Sequence, residues 1–218
     1  MPEPVSGAML GSALRGCALG FYGKIPARGD FVRNGLPHAF IDPWDRWLQQ
    51  GIAASRAELG DEWVAAWLEA PIWFFALAPG ICGPDAALGL WMPSVDRVGR
   101  HFPLTLAAIA TGGNARQLAH DSGGFLAAAE RAGLDALESD LGPEELAGRI
   151  AAAAEAPPAG PGVDPAAYMT ANALWWTEGS PRVPPRAFAG DALPNDLTFV
   201  TMLDAGAATA SADPACCP

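Results

Sequence analysis

A chain of 218 residues that is 50% hydrophobic and 9% aromatic can bury the core of one large domain, which excludes global disorder. Its formal net charge of -11 leaves it without the basic footprint that nucleic acid or an anionic membrane surface requires. A protein partner, one carrying a basic patch for instance, is the more natural expectation.

Residues 1–16 read as a flexible leader, and Glu3 and Arg15 make its apolar stretch a poor signal peptide. The apolar run 17–22 ends at Gly23 and predicts a buried strand that delivers the next loop to a sheet edge. That loop, GKIPARGD, holds Gly23, Pro26 and Gly29, which break helix and strand alike. Asp42, Pro43 and Asp45 together predict a helix N-terminus with its cap, first-position proline and first-turn acid. Trp44, Trp47, Leu48 and Ile52 mark the buried face of that helix, and Gly60 ends it. Asp61 is expected to cap a shorter helix, with Trp63, Val64, Trp67 and Leu68 repeating the buried pattern up to Pro71.

Three nearly continuous apolar runs, 72–78, 86–92 and 102–110, suit strands covered on both faces, with a Pro/Gly-rich hairpin between the first two. Residues 115–141 predict one or two helices, interrupted at Gly123, Gly124 and Gly133. Pro143 opens another, with Glu144 and Glu145 in its first turn and Leu146 and Ile150 on its buried side. After a linker at 156–162, strands are expected at 171–177 and 186–189, then a short helix or strand at 195–203. Residues 205–218 read as a disordered tail, leaving 17–204 as a single layered α/β domain.

Five of the eight tryptophans lie between positions 44 and 73, a pattern that marks core rather than a binding site. Trp175 and Trp176, adjacent on a strand, must face opposite ways. Cys17 and Cys82 sit in apolar sequence, and Cys216 and Cys217 are adjacent near the C-terminus, so a reducing compartment is expected. No Cys/His spacing suggests a metal, and His38, His101 and His120 suggest no shared ligand set. No apolar run is long enough for a membrane span, and the expectation is a cytoplasmic protein without a cofactor.

The chain shows no phosphate-binding loop, zinc-protease helix, nucleophile elbow or dinucleotide fingerprint. Its special residues concentrate instead in GFYGKIPARGDF (20–31) and WMPSVDRVGRHFPLTL (91–106). The candidate site comprises Lys24, Arg28, Asp30, Ser94, Asp96, Arg97 and Arg100, with no catalytic residue and no metal assigned. Three readings are open. The ion pairs staple the loops together; or they form a partner-binding surface; or the guanidinium groups grip an anion beside a catalytic carboxylate. Asp30 and Asp96 as an acid/base pair have no other support, Ser94 lacks a base partner, and Arg28-Gly29-Asp30 is read as a coincidental adhesion tripeptide.

Five motifs in one order, GFYGKIPARGDFV, FIDPWDRWLQQGI, PIWFFALAPGICG, MPSVDRVGRHFPLTL and LWWTEGS, resemble the TagF (ImpM) family of bacterial type VI secretion systems. The resemblance spans about residues 20–189 and implies a three-layer α/β/α sandwich, for which we expect a central mixed sheet. It also implies a non-enzymatic regulator that holds the secretion apparatus inactive after translation by binding the forkhead-associated (Fha) scaffold protein. Some relatives are fused to a PppA-type phosphatase domain. No metal-binding carboxylate motif of that kind is present here, so phosphatase activity is not expected. The family's motif positions correspond to Lys24, Pro26, Arg28, Gly29, Asp30 and Phe31 in the first loop. In the second they correspond to Pro93, Ser94, Asp96, Arg97, Gly99, Arg100, Phe102 and Pro103. The alternative is a small-anion-binding or hydrolytic enzyme built on the same Arg/Asp loops.

Overall fold

Among the described residues seven strands form one sheet in the order β2-β1-β5-β4-β3-β6-β7, and every neighbouring pair is antiparallel. The computed structural model describes residues 14, 16–112, 123–156 and 171–207. In chain order the strands are β1 (Ala18–Gly23), β2 (Val32–Asn34), β3 (Trp73–Leu77), β4 (Ala86–Met92), β5 (Leu104–Ala110), β6 (Ala173–Thr177) and β7 (Arg186–Gly190). The helices are α1 (His38–Leu59), α2 (Trp63–Glu69), α3 (Gly123–Glu138), α4 (Pro143–Ala153) and α5 (Asp196–Leu203), with a 3-10 turn at Gly60–Glu62.

The expected mixed sheet is corrected to an antiparallel one, and the reason lies in the crossovers. Parallel neighbours arise when a helical crossover returns the chain beside the strand it left. Here α1 and α2 connect β2 to β3, which are separated by three strands, and α3 and α4 connect β5 to β6, separated by two. The remaining joins between sheet neighbours are hairpins, including the one predicted between β3 and β4.

Strands β3, β4 and β5 are buried along their whole length, as their unbroken apolar sequences require. Their alternate residues divide into two cores. Phe74, Leu88, Leu90 and Leu106 join Phe125, Leu126 and Ala129 of α3 and Leu146 and Ile150 of α4. Trp73, Phe75, Trp91 and Ile109 join Trp44 and Leu48 of α1, Trp67 of α2 and Phe199 of α5. Trp176 belongs to the first core and Trp175 to the second, so the two do face opposite ways.

All eight tryptophans are buried. In the second core Trp44 lies 4.6 Å from Phe75 and 4.8 Å from Trp47, and Trp91 stacks on Phe199 at 5.7 Å. Five indoles donate hydrogen bonds to described residues, among them Trp44 Nε1 to Thr105 Oγ1 at 2.9 Å and Trp73 Nε1 to the Met202 carbonyl at 3.0 Å. These bonds convert a nonspecific apolar mass into one fixed packing.

Several local expectations shift. Helix α1 begins at His38 after Pro37, one turn before the Asp42-Pro43 signal, and Pro43 lies inside it. Burial of Phe40 and Ile41 stabilises the extra turn, which outweighs the ladder bond that Pro43 cannot donate. α2 starts after the 3-10 turn rather than at Asp61, and its Val64 and Leu68 are exposed, not core. The strand β2 is too short to leave a periodic signal. Asn195 caps α5 by accepting from the Thr198 amide at 2.9 Å. Cys82 is buried and Cys17 half-buried; Cys216, Cys217 and His120 lie outside the described residues, as do the 157–162 part of the linker and most of the leader and tail.

Candidate functional site

The two dense loops emerge at the same end of the sheet, the first from the end of β1 and the second between β4 and β5. Strand pairing sets them side by side, since Gly23 is opposite Leu104. Gly23 has φ 140°, and a Cβ there would lie 1.9 Å from the Pro103 carbonyl oxygen, so only glycine lets the first loop pass this close to the second.

At the centre is Asp96. Its Oδ2 accepts from Lys24 Nζ at 2.7 Å and Arg100 Nε at 2.6 Å, and its Oδ1 accepts from the amides of Val98 at 3.0 Å and Arg100 at 2.9 Å. The Lys24 and Asp96 side chains are 7% and 0% exposed. Burial works to raise the Asp96 pKa, but the bonds from Lys24, from the Arg100 amide and guanidinium and from the Val98 amide together hold it well below the usual carboxylate range. The amide bonds also shape the second loop. An aspartate that accepts from residues two and four positions later closes a tight turn, and Gly99 completes it at φ 81°. The Asp96 amide donates to the Arg100 carbonyl at 3.0 Å, and Val95 bridges to His101.

Further bonds join the loops. Ser94 Oγ donates to the Lys24 carbonyl at 2.8 Å, the Arg97 amide donates to the Arg28 carbonyl at 2.9 Å, and Arg100 Nη2 donates to the Gly29 carbonyl. Trp67 Nε1 donates to the Ser94 carbonyl at 3.2 Å, tying α2 to the second loop. Lys24 Nζ lies 5.1 Å from the centre of the Phe31 ring, which packs edge-on to Phe102 at 4.7 Å. His101 packs edge-on to Trp63 at 5.1 Å; burial, then the Arg56 charge, holds its pKa below the ordinary value.

The seven candidate residues therefore separate. Lys24, Ser94 and Asp96 are buried and bonded to one another's loop, and Arg100 is an exposed side chain anchored on Asp96. Asp30 is fully exposed and reaches Arg100 at 3.9 Å. Arg28 and Arg97 are exposed, and neither guanidinium has a hydrogen-bond or ion-pair partner among the described residues. Among the described residues no three His, Cys, Asp or Glu side chains are grouped as a metal site, and no helix is long and apolar enough to cross a membrane.

Beside the cluster lies a cleft of about 180 Å³ lined by Pro26, Trp67, Leu68, Pro93, Ser94, Val95 and Leu137. Residue patterns alone miss this cleft. Leu68 reads as a core position of its helix, and no residue spacing in the sequence marks the cleft.

Residues 20–153 match the TagF N-terminal domain, described as type VI secretion system-associated. The fold is similar to the crystal structure of PA0076 from Pseudomonas aeruginosa PAO1, at 34% sequence identity and a TM-score of 0.67, over 86% of this chain and 94% of that one. No curated protein matches the sequence. The family match over more than half of the chain and the likeness to PA0076 agree with the ordered motifs: the chain belongs to the TagF family of type VI secretion system-associated proteins.

Proposed function

We propose that this secretion-associated protein is a non-enzymatic cytoplasmic repressor that acts after translation by binding and sequestering the forkhead-associated scaffold of the apparatus. We read its two cores, each with its own helices on one face of the sheet, as a three-layer α/β/α sandwich that holds the two loops rigidly at one end. The observation that carries the functional reading is the state of Asp96, the one buried carboxylate among the described residues. Four donors occupy its two oxygens, so it has no lone pair left to take a proton from a substrate. What the loops turn outward is recognition chemistry: guanidinium groups and apolar side chains on a framework that is already bonded internally.

Co-purification with the scaffold tests this. A complex at micromolar concentration, together with release of secretion when the gene is deleted, supports repression. No complex overturns it, and loss of secretion on deletion points instead to a structural adaptor. The enzymatic or anion-binding alternative has one observation in its favour, Arg28 and Arg97, whose guanidiniums have no partner among the described residues. Titration with inorganic phosphate reads it directly, since saturable binding lost in Arg97→Ala would favour that alternative.

A further inference from the structure

We infer that the loop end of the sheet is a docking surface for an acidic segment carrying one apolar anchor residue, supplied by the protein's partner. The anchor enters the cleft between Pro26, Trp67, Leu68, Pro93, Val95 and Leu137, and the acidic flank meets Arg28 and Arg97. This rests on the reading of the chain as a partner-binding protein and names the surface and the chemistry that it recognises.

Size, polarity and charge each support the occupant. The cleft, about 180 Å³, is smaller than the roughly 300–1,000 Å³ of small-molecule sites and suits a single large side chain. Among the described residues no charged side chain lines it, and the polar Ser94 already donates to the Lys24 carbonyl. Leu68, which lines the cleft, and Val64 one turn before it on α2 are 64% and 47% exposed, and the tip of the second loop leaves Val98 70% exposed. Scattered apolar residues are ordinary on a surface, but an open apolar helix face running into an apolar cleft is an interaction surface.

Charge selects the partner. In a chain of net charge -11, Arg28 and Arg97 are adjacent cations whose backbones are hydrogen-bonded at 2.9 Å and whose side chains have no anionic partner among the described residues. Each stands two residues beyond a wall of the cleft, Arg28 after Pro26 and Arg97 after Val95. An acidic segment neutralises both, so at this surface the local pair of cations replaces the basic-patch partner expected from overall charge, while a whole second copy of this chain sets a net charge of -11 against the first.

The test measures binding of the full chain to the purified scaffold by calorimetry, for wild type, Leu68→Lys, Arg28→Glu/Arg97→Glu and a control, Leu197→Lys, at an exposed position on α5. The expected result is a loss of about tenfold or more in affinity for the first two variants, unchanged melting temperatures, and no effect of the control. Wild-type affinity in both variants overturns the surface while leaving the repressor reading intact. If wild type does not bind the scaffold, the repressor reading fails, and the surface is judged with a labelled peptide, Asp-Glu-Leu-Trp-Glu-Asp. Saturable binding below about 1 mM that both variants abolish keeps the docking surface, and no binding in that range overturns it. Self-association of the wild type that Leu68→Lys abolishes also overturns it, in favour of a second copy.

Discussion

Lys24 and Arg28 lie four residues apart in one loop, and Asp96 and Arg97 are neighbours in the other, yet each loop divides into an inward and an outward half. The inward half, Lys24, Ser94 and Asp96, is buried and saturated with bonds that cross between the loops. The outward half, Arg28 and Arg97, touches the opposite loop through its backbone while its guanidiniums face solvent. The difference is one of accounting for desolvation. A charge removed from water must be matched bond for bond, whereas an exposed charge remains available to another molecule. One pair of loops can therefore hold itself together and present a surface, using the same residue types for both tasks.

Breaking the inward half gives the largest effect. Lys24→Met leaves Asp96 buried without its ammonium partner, and we expect a loss of about 3 kcal/mol in urea denaturation, since Arg100 and two amides still serve the carboxylate. Lys24→Met/Asp96→Asn should recover part of that loss. It removes the orphaned charge and keeps a side-chain oxygen for the amides of Val98 and Arg100. A recovery of nothing would mean that the pair contributes through shape alone.

Acid probes the same half more gently. Because the Asp96 pKa is lowered in the folded chain, its contribution is complete above the unfolded carboxylate value of about 3.9 and fades as pH falls below it towards the folded value. The stability difference between wild type and Asp96→Asn should therefore be flat near neutrality and shrink below about pH 4. A difference that grows on acidification would contradict this assignment.

How much of this division was legible in the sequence follows from its physics. The apolar strands and the tryptophan core follow from periodicity and burial tendency, and both are found, whereas the meeting of the two loops was one of three open readings and is set by the pairing of Gly23 with Leu104. The direction of each charged side chain is not encoded in residue type, so Lys24 and Arg28 looked alike until packing separated them. The same blindness applies to α2. Trp63, Val64, Trp67 and Leu68 make one apolar pattern, but only Trp63 and Trp67 find the core. A short helix carries too few residues for its period to show which edge of an apolar stripe stays open. The antiparallel sheet was hidden for a different reason, because helical crossovers between distant strands look the same in sequence as crossovers between neighbours.

A smaller test falls on the bond between the loops. Ser94→Ala removes the hydroxyl that serves the Lys24 carbonyl in a buried position, and a cost of about 1–2 kcal/mol is expected from thermal unfolding. It should not alter the acid profile, since the four donors to Asp96 are untouched. A change in that profile would mean that Ser94 positions Lys24 as well as holding the loop.

The outward half should scarcely register in stability. Arg28→Glu and Arg97→Glu each alter an exposed side chain with no partner among the described residues, so each should change stability by no more than about 0.5 kcal/mol. The sign is informative. If these cations only offset the surrounding acidity, reversing them deepens the net charge from -11 and lowers the melting temperature slightly, with an effect that salt removes. If they repel each other as adjacent unpaired cations, reversing one of them raises it, while reversing both restores like-charge repulsion and returns it towards wild type. A loss above about 2 kcal/mol in either single variant would erase the distinction between the halves, because it would make Arg28 or Arg97 part of the internal framework rather than its outward face.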